Sequence, residues 1–274
     1  MTPLPTVFLS HGSPMHAISA GRAGEAWTAL GRQLPRPSAV LVASAHWETE
    51  LPMVSTAQQP ETIHDFGGFP PELYRMRYPA RGAPATAQHA LELLRDAGIP
   101  ASAIGCRGLD HGAWVPLLRL FPAADVPVAQ ISIQPSLGAD HHLKVGAALA
   151  PLVGEDVLVL GSGHMTHNLR EWILDARRRG AMTIDEREPE PYVSEFRAWV
   201  DTVLRNGDHE ALARWREAPH AVRAHPTPEH FLPLMIAAGA AGPQALVEHI
   251  DAGVDSGVLA MDAYVFWPPG AAAP

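Results

Sequence analysis

Four positions in the chain place histidine where a mononuclear metal site would need it. His11 closes the apolar run Thr6-Val7-Phe8-Leu9-Ser10 and precedes Gly12-Ser13-Pro14. His46 closes a second run, residues 39–45, in the stretch Ser44-Ala45-His46-Trp47. His164 and His167 follow Val157-Leu158-Val159-Leu160 through the turn Gly161-Ser162-Gly163. His230 lies just after Thr227-Pro228, a pairing of N-cap and first-turn residue that starts a helix. A neutral imidazole nitrogen on a ring with little freedom is a good metal ligand, and strand ends or first helical turns supply that restraint.

For such histidines to meet, the chain must bring strand ends together. Short β-branched runs alternate with helical patterns, which predicts an α/β fold. Strands are expected at 6–10, 39–45, 126–133, 157–161 and 258–266, with a shorter one around Met53-Val54-Ser55. Apolar spacing predicts helices over 85–97 and from Tyr192 to Leu204, the latter stopped by Asn206-Gly207. Asp208 is expected to cap a short helix carrying Leu212 and Trp215, and a further helix to run from Pro228 to the glycines at 239 and 242. Residues 1–274 are expected to form a single domain, a central mixed β-sheet flanked by helices with the metal site at the strand C-terminal ends. Two irregular segments interrupt this pattern, 56–84 with its five prolines and 105–116, and long loops of this kind are binding loops as often as plain connections. The tail Pro268–Pro274 reads as a frayed terminus.

Each histidine has an ordinary alternative. His11 could be a turn residue bonded to backbone, although Gly12 and Pro14 restrict it in favour of a site. His46 could equally be a satisfied core histidine. At His230 the neighbouring Glu229 is a second candidate ligand, whose common role is favourable charge at a helix N-terminus. His167, before Asn168-Leu169-Arg170, is the preferred functional member of its pair, and His164 is expected in packing. His111 follows Asp110, which could orient its ring, and His64 before Asp65 repeats that pairing more weakly. His16, His89, His141, His142, His209, His220, His225 and His249 are expected at the surface.

Composition narrows the classes. Net charge is −9 and the 20 basic residues are scattered, apart from Arg177-Arg178-Arg179, so nucleic acid is not an expected partner. A single cysteine, Cys106, excludes an intramolecular disulfide framework and suits a reducing compartment. The first residues lack a basic, then apolar, leader pattern, and the apolar stretch from Phe231 to Gly242 is too short to span a bilayer. A cytoplasmic location without membrane association is expected, and no feature sets an oligomeric state. There is no cysteine pair for structural zinc, no His-Glu-x-x-His, no phosphate-binding loop and no dinucleotide fingerprint. Ser162, beside His164, lacks the Gly-x-Ser-x-Gly elbow of a nucleophilic serine.

Taken together, the motifs carry a resemblance. His11-Gly12-Ser13-Pro14-Met15, Ser44-Ala45-His46-Trp47, the run Ile63–Pro70, Asp110-His111-Gly112, His167-Asn168-Leu169 and Thr227–Leu234 occur in this order. The chain resembles the 4,5-DOPA extradiol dioxygenases, class III ring-cleaving enzymes related to the catalytic subunit of protocatechuate 4,5-dioxygenase, over nearly its whole length. The resemblance implies one mononuclear divalent metal held by His11, His46 and His230, with Fe(II) expected for turnover and Zn(II) possible as bound. It implies His167 as a fourth ligand or the acid–base residue, and His111 as a second active-site histidine meeting substrate or oxygen. A catechol, DOPA-like or another catecholic acid, would be opened with O2 to a muconic semialdehyde, beneath a loop carrying His64, Phe66 and Phe69. A zinc hydrolase using a three-histidine site is the competing enzymatic reading. A metal- or ligand-binding protein on the same scaffold is the non-catalytic one.

Overall fold

The apolar runs are buried on both faces, the condition under which strands pair in parallel. All of β1 (Thr6–Ser10), all of β6 (Val157–Gly163) and the first seven residues of β2 (Ala39–Glu48) are buried. The computed structural model describes residues 4–180 and 183–270. Between β2 and β6 come β3 (Met53–Ser55), β4 (Ser102–Ile104) and β5 (Val128–Ile133). After β6 come β7 (Leu246–Ile250), β8 (Val254–Asp255), β9 (Leu259–Ala260) and β10 (Ala263–Trp267). Eight strands form one sheet in the order β4-β3-β5-β2-β6-β1-β10-β7, and β8 with β9 makes a separate ribbon. The central four, β5-β2-β6-β1, are parallel, whereas β10 and β7 are added antiparallel at one side. The sheet is therefore mixed, and its parallel centre delivers the ends of β1, β2 and β6 to one edge.

The helices are α1 (Gly21–Gln33), α2 (Pro84–Asp96), α3 (His111–Leu120), α4 (Gly138–Leu149) and α5 (Leu169–Arg179). They continue with α6 (Pro191–Arg205), α7 (His209–Ala213), α8 (Ala221–Ala224) and α9 (Leu232–Ala241). Strand alternation sends Val7, Leu9, Val40, Val42, Leu158 and Leu160 to one face, where they pack on Trp27 and Leu30 of α1 and Trp114 and Leu117 of α3. Leu41, Ala43 and Val159 face the other way, onto Leu91 of α2, Val145 of α4 and Ile236 of α9. Helices on both faces of a largely parallel sheet complete the expected α/β architecture.

Several expectations shift. The helix carrying the 228–242 pattern begins at Leu232, because Thr227 Oγ1 donates to Glu229 Oε1 (2.8 Å) instead of capping, and His230 sits in the turn before it. The segment 105–116 contains the start of α3, with Asp110 as its cap. The expected strand 258–266 is broken into β9 and β10. Between them the buried Asp262 carboxylate is gripped by Arg197 (2.6 and 2.8 Å) and His249 (2.6 Å). His16, His142 and His225, expected at the surface, are buried. Each ring meets a backbone group: His16 Nδ1 with the Ala20 carbonyl, His142 Nε2 with the Gln134 N–H, and His225 Nε2 with the Met165 carbonyl. The helices α1 and α4 and the strands β4 and β7 lie outside the expected elements, although Ala23, Trp27 and Leu30 of α1 repeat at helical spacing. Residues 271–274 of the expected frayed tail lie outside the described residues.

Candidate metal centre

The first residue beyond β1 is His11, whose backbone N–H donates to the Gly163 carbonyl at the end of β6 (2.9 Å). His46 lies within β2, where pairing with β5 shifts register between Ala43 and Glu48. Such irregularities re-aim side chains, and His46 turns towards His11 instead of continuing the ladder. The two Nε2 atoms are 3.0 Å apart. His230 is brought in by close backbone approach: a Cβ on Gly163 would overlap the His230 carbonyl, which accepts the His164 N–H at 2.7 Å. Its ring centroid lies 5.0 Å from that of His46 and 5.4 Å from that of His11.

Hydrogen bonds set which nitrogen each ring presents. The Ser162 hydroxyl donates to the Gly112 carbonyl, so its oxygen accepts the His11 Nδ1–H (3.1 Å) and leaves His11 Nε2 as a lone pair. His230 Nδ1 meets Glu229 Oε1 at 3.0 Å, and His46 Nδ1 lies 3.7 Å from Asp65 Oδ2. An oxygen behind each ring and a free Nε2 in front is the usual environment of a metal-binding imidazole. Burial, reinforced by the neighbouring imidazoles, holds the pKa of His11 and His230 well below the ordinary histidine value. Burial is also the main cause of the lowering of His46 to about 4. Neutral rings are the ligand form. The donor set fits a divalent metal: nitrogens of His11, His46 and His111 lie within 4.8 Å of one another, as do donor atoms of His167, Glu229 and His230.

The remaining histidines surround this centre. His111 opens α3 beside His46, ring centroids 4.0 Å apart, an approach allowed because Gly112 has no Cβ to strike Ser44 Oγ. Its Nδ1 lies 3.0 Å from Asp65 Oδ1, and its backbone N–H donates to the same oxygen (2.9 Å). Asp65, and not the preceding Asp110, is thus the carboxylate at His111. Burial acts to raise the Asp65 pKa, but the contacts from His111 and His46 outweigh it and leave it at about 2. Asp110 is fully buried elsewhere, accepting from Ser44 Oγ (2.6 Å), Arg107 (2.8 Å) and Gln130 (2.8 Å) while capping α3. His167 stacks on His230 with centroids 3.5 Å apart and planes at 12°. Burial first, then nearby imidazoles, lowers it to about 3. His164 accepts the Gly12 N–H through Nε2 (3.0 Å), which ties down the turn after His11.

A cavity of about 280 Å³ opens over these groups, with Asp65, Phe66 and Phe69 on one side and Leu169, Trp172, Ile173 and Leu259 on another. His64 is not among the lining residues. Its Nε2 sits 3.1 Å from the Met76 carbonyl, and its ring packs edge-on against Phe66 (5.7 Å), supporting that residue from behind. The loop is pinned by Trp114, whose Nε1–H donates to the Ile63 carbonyl (3.0 Å). Sequence reasoning undervalued Ser162, weighed only as a nucleophile, and Asp65, paired only with His64. Both act through contacts remote in sequence.

Residues 5–266 match the family described as the catalytic LigB subunit of aromatic ring-opening dioxygenase. The chain belongs to this family. It is an enzyme of the extradiol ring-cleaving dioxygenase class, a class that uses a mononuclear metal. Among relatives, the 4,5-DOPA dioxygenase extradiol of Beta vulgaris is 40% identical over 266 residues, covering 95% of this chain and 96% of that one. The protein of the same name from Escherichia coli K12 is 38% identical over 266 residues, with 95% and 93% covered. A crystal structure of an uncharacterized protein from Escherichia coli K12 superposes with a TM-score of 0.78 at 33% identity, covering 96% of this chain and 99% of that one. No helix among the described residues is long and apolar enough to cross a membrane.

Proposed function

We propose that this protein opens the aromatic ring of a catechol beside its two hydroxyls, using O2, to give a muconic semialdehyde. The observation that carries the reading is the pair of Nε2 atoms of His11 and His46, 3.0 Å apart on the floor of a cavity that also holds His230, His111 and His167. His11, His46 and His230 would hold one divalent ion, Fe(II) for turnover, with Zn(II) able to occupy the same donors. A ferrous ion held by these residues would bring catechol and O2 together and would supply a route for electrons between reactants whose direct combination is spin-forbidden.

The chain's own groups do the rest. Neutral His167 accepts a proton from a catechol hydroxyl. It returns that proton when the ring opens. Positioned proton transfer of this kind contributes roughly 10²–10⁴-fold. His111, aligned by Asp65, presents its ring to substrate and oxygen beside His46. Phe66 and Phe69, edge to face at 5.4 Å, cover the ring and keep water out. Both oxygen atoms end in the product and one ring carbon–carbon bond breaks, so no further reductant is needed. A small-molecule catechol and O2 are the partners this requires.

Anaerobic loading with Fe(II), then addition of a catechol and air, tests the reading. Iron-dependent oxygen uptake with a yellow semialdehyde product supports it. Zinc-dependent hydrolysis without oxygen uptake supports the three-histidine hydrolase instead, and tight metal without turnover of any catechol supports a binding protein.

A further inference from the structure

Of the three histidines proposed to hold the metal, His46 has the loosest contact behind its ring. Nδ1 of His11 lies 3.1 Å from Ser162 Oγ and Nδ1 of His230 lies 3.0 Å from Glu229 Oε1. The corresponding separation for His46, to Asp65 Oδ2, is 3.7 Å, too long for a hydrogen bond. Its aim must therefore come from the backbone. Between Ala43, opposite Ile131, and Glu48, opposite Ile133, residues 44–47 of β2 stand against Ser132 of β5 alone. A backbone that leaves its ladder in this way has to satisfy its N–H and C=O elsewhere.

Both backbone groups of His46 are satisfied by partners of one carboxylate. The His46 N–H donates to Ser44 Oγ (3.2 Å), and the Ser44 hydroxyl donates to Asp110 Oδ1 (2.6 Å). The His46 carbonyl accepts from Arg107 Nη2 (3.2 Å), which also donates to Asp110 Oδ2 (2.8 Å). Asp110 itself is fully buried and has no freedom to turn. The Ala113 N–H of α3 donates to Oδ1 (3.2 Å) and Gln130 Nε2 of β5 donates to Oδ2 (2.8 Å), so each oxygen accepts two hydrogen bonds. Arg107 is fixed as well. Its guanidinium lies over the Trp47 ring at 5.2 Å, and its carbonyl accepts the Ser55 hydroxyl of β3 (3.0 Å). The network thus brackets His46 from Ser44 on one side to Trp47 on the other. Because Asp110 also caps α3, it sets the start of the helix that opens with His111, whose ring centroid is 4.0 Å from that of His46.

We infer that Asp110, acting through Ser44 and Arg107, is the positioning residue that aims His46 into the metal centre. The inference rests on His46 being a ligand of the proposed metal. Asp110 reaches the centre only through other residues. Removing one member of such a buried network leaves its partners unpaired, and the irregular stretch 44–47 then has nothing to hold its shape.

The test is Co(II) loading of Ser44→Ala, Arg107→Met and Arg107→Lys, with the visible absorption spectrum as the record of ligand geometry and competition with a chelator as the record of affinity. Arg107 is 22% exposed, and methionine keeps apolar contact with Trp47. Ser44→Ala and Arg107→Met should bind the metal about 10–100-fold more weakly, with an altered spectrum, although no ligand has been changed. Arg107→Lys, which keeps a cation within reach of both oxygens, should fall between Arg107→Met and the native protein. A lowered melting temperature with native metal Kd and native spectrum assigns the network to the fold alone and overturns the inference. Should Arg107→Met fail to fold, Ser44→Ala decides by the same two readings. His46→Ala is measured alongside. Native affinity and spectrum in His46→Ala overturn the ligand reading and the inference with it. Their loss in His46→Ala, with native values in Ser44→Ala and Arg107→Met, overturns the positioning alone.

Discussion

His11 Nε2 and His46 Nε2 face each other at 3.0 Å across the ends of two parallel strands. The His11 proton is committed to Ser162 on the opposite side of the ring, so His11 offers a lone pair into this gap. A buried cation satisfies that arrangement. His11→Ala or His46→Ala is therefore expected to lose bound metal and oxygen uptake together, measured by elemental analysis and an oxygen electrode. Chelation of the native protein should lower its melting temperature, since a ligand bound only to the folded state stabilises it.

Ser162 Oγ contacts His11 Nδ1 at 3.1 Å, and through it should orient the proposed ligand. Ser162→Ala removes the acceptor for the Nδ1 proton but leaves the ligand itself, so the fold should persist and metal affinity fall about 10–100-fold. Competition with a chromogenic chelator reads this directly. Unchanged affinity would mean that the Ser162–His11 contact does not orient the ring.

His167 stacks on His230, and its proposed role is proton transfer. His167→Ala is expected to lower kcat about 10²–10⁴-fold while the Kd for catechol moves little. Retention of normal turnover would remove its acid–base role.

The close packing behind His230 can be tested through a single methyl group. In Gly163→Ala the new Cβ overlaps the His230 carbonyl, so the turn at 228–231 must move. Metal content should drop although no ligand has been changed, and a circular dichroism spectrum like that of the native protein would separate this from unfolding.

Acid should weaken the fold through a histidine remote from the metal. His142 is lowered to about 4, by burial first, against a small opposing effect of its contact with Gly138. Between pH 6.5 and about 4 the unfolded chain binds a proton that the folded chain does not. Stability is therefore complete above the unfolded value and declines as pH falls through this window, by on the order of 3 kcal/mol for this group. Urea unfolding at stepped pH should show the decline, and His142→Gln, which keeps an acceptor near the Gln134 N–H, should make it shallower.

The long apolar runs at 6–10, 39–45 and 157–161 were legible because strands buried on both faces need continuous hydrophobicity. Likewise, α2 and α6 were legible from their 3.6-residue periodicity. The helix α4 was not, since Asp140, His141 and His142 crowd its first turns and its contact with α9 runs partly through Gly146 and Gly239, although Leu143 and Leu149 are both buried. The helix α3 was hidden because its buried residues surround it instead of forming one face.

By itself, the sequence determined the α/β alternation, the strand-end positions of His11 and His164, and the ordered motifs that mark the family. These are local properties, written in hydrophobic spacing and turn residues. Tertiary structure alone decided that Asp65 serves His111, that Ser162 selects the His11 tautomer, and that Asp110 buttresses β2 and α3 instead of the His111 ring. It also moved His64 behind Phe66 and raised an apolar wall from α5 and the β8–β9 ribbon opposite the histidines. Each of these contacts joins segments far apart in sequence. Which oxygen reaches which ring nitrogen follows from how strands and helices pack, and spacing along the chain does not record it.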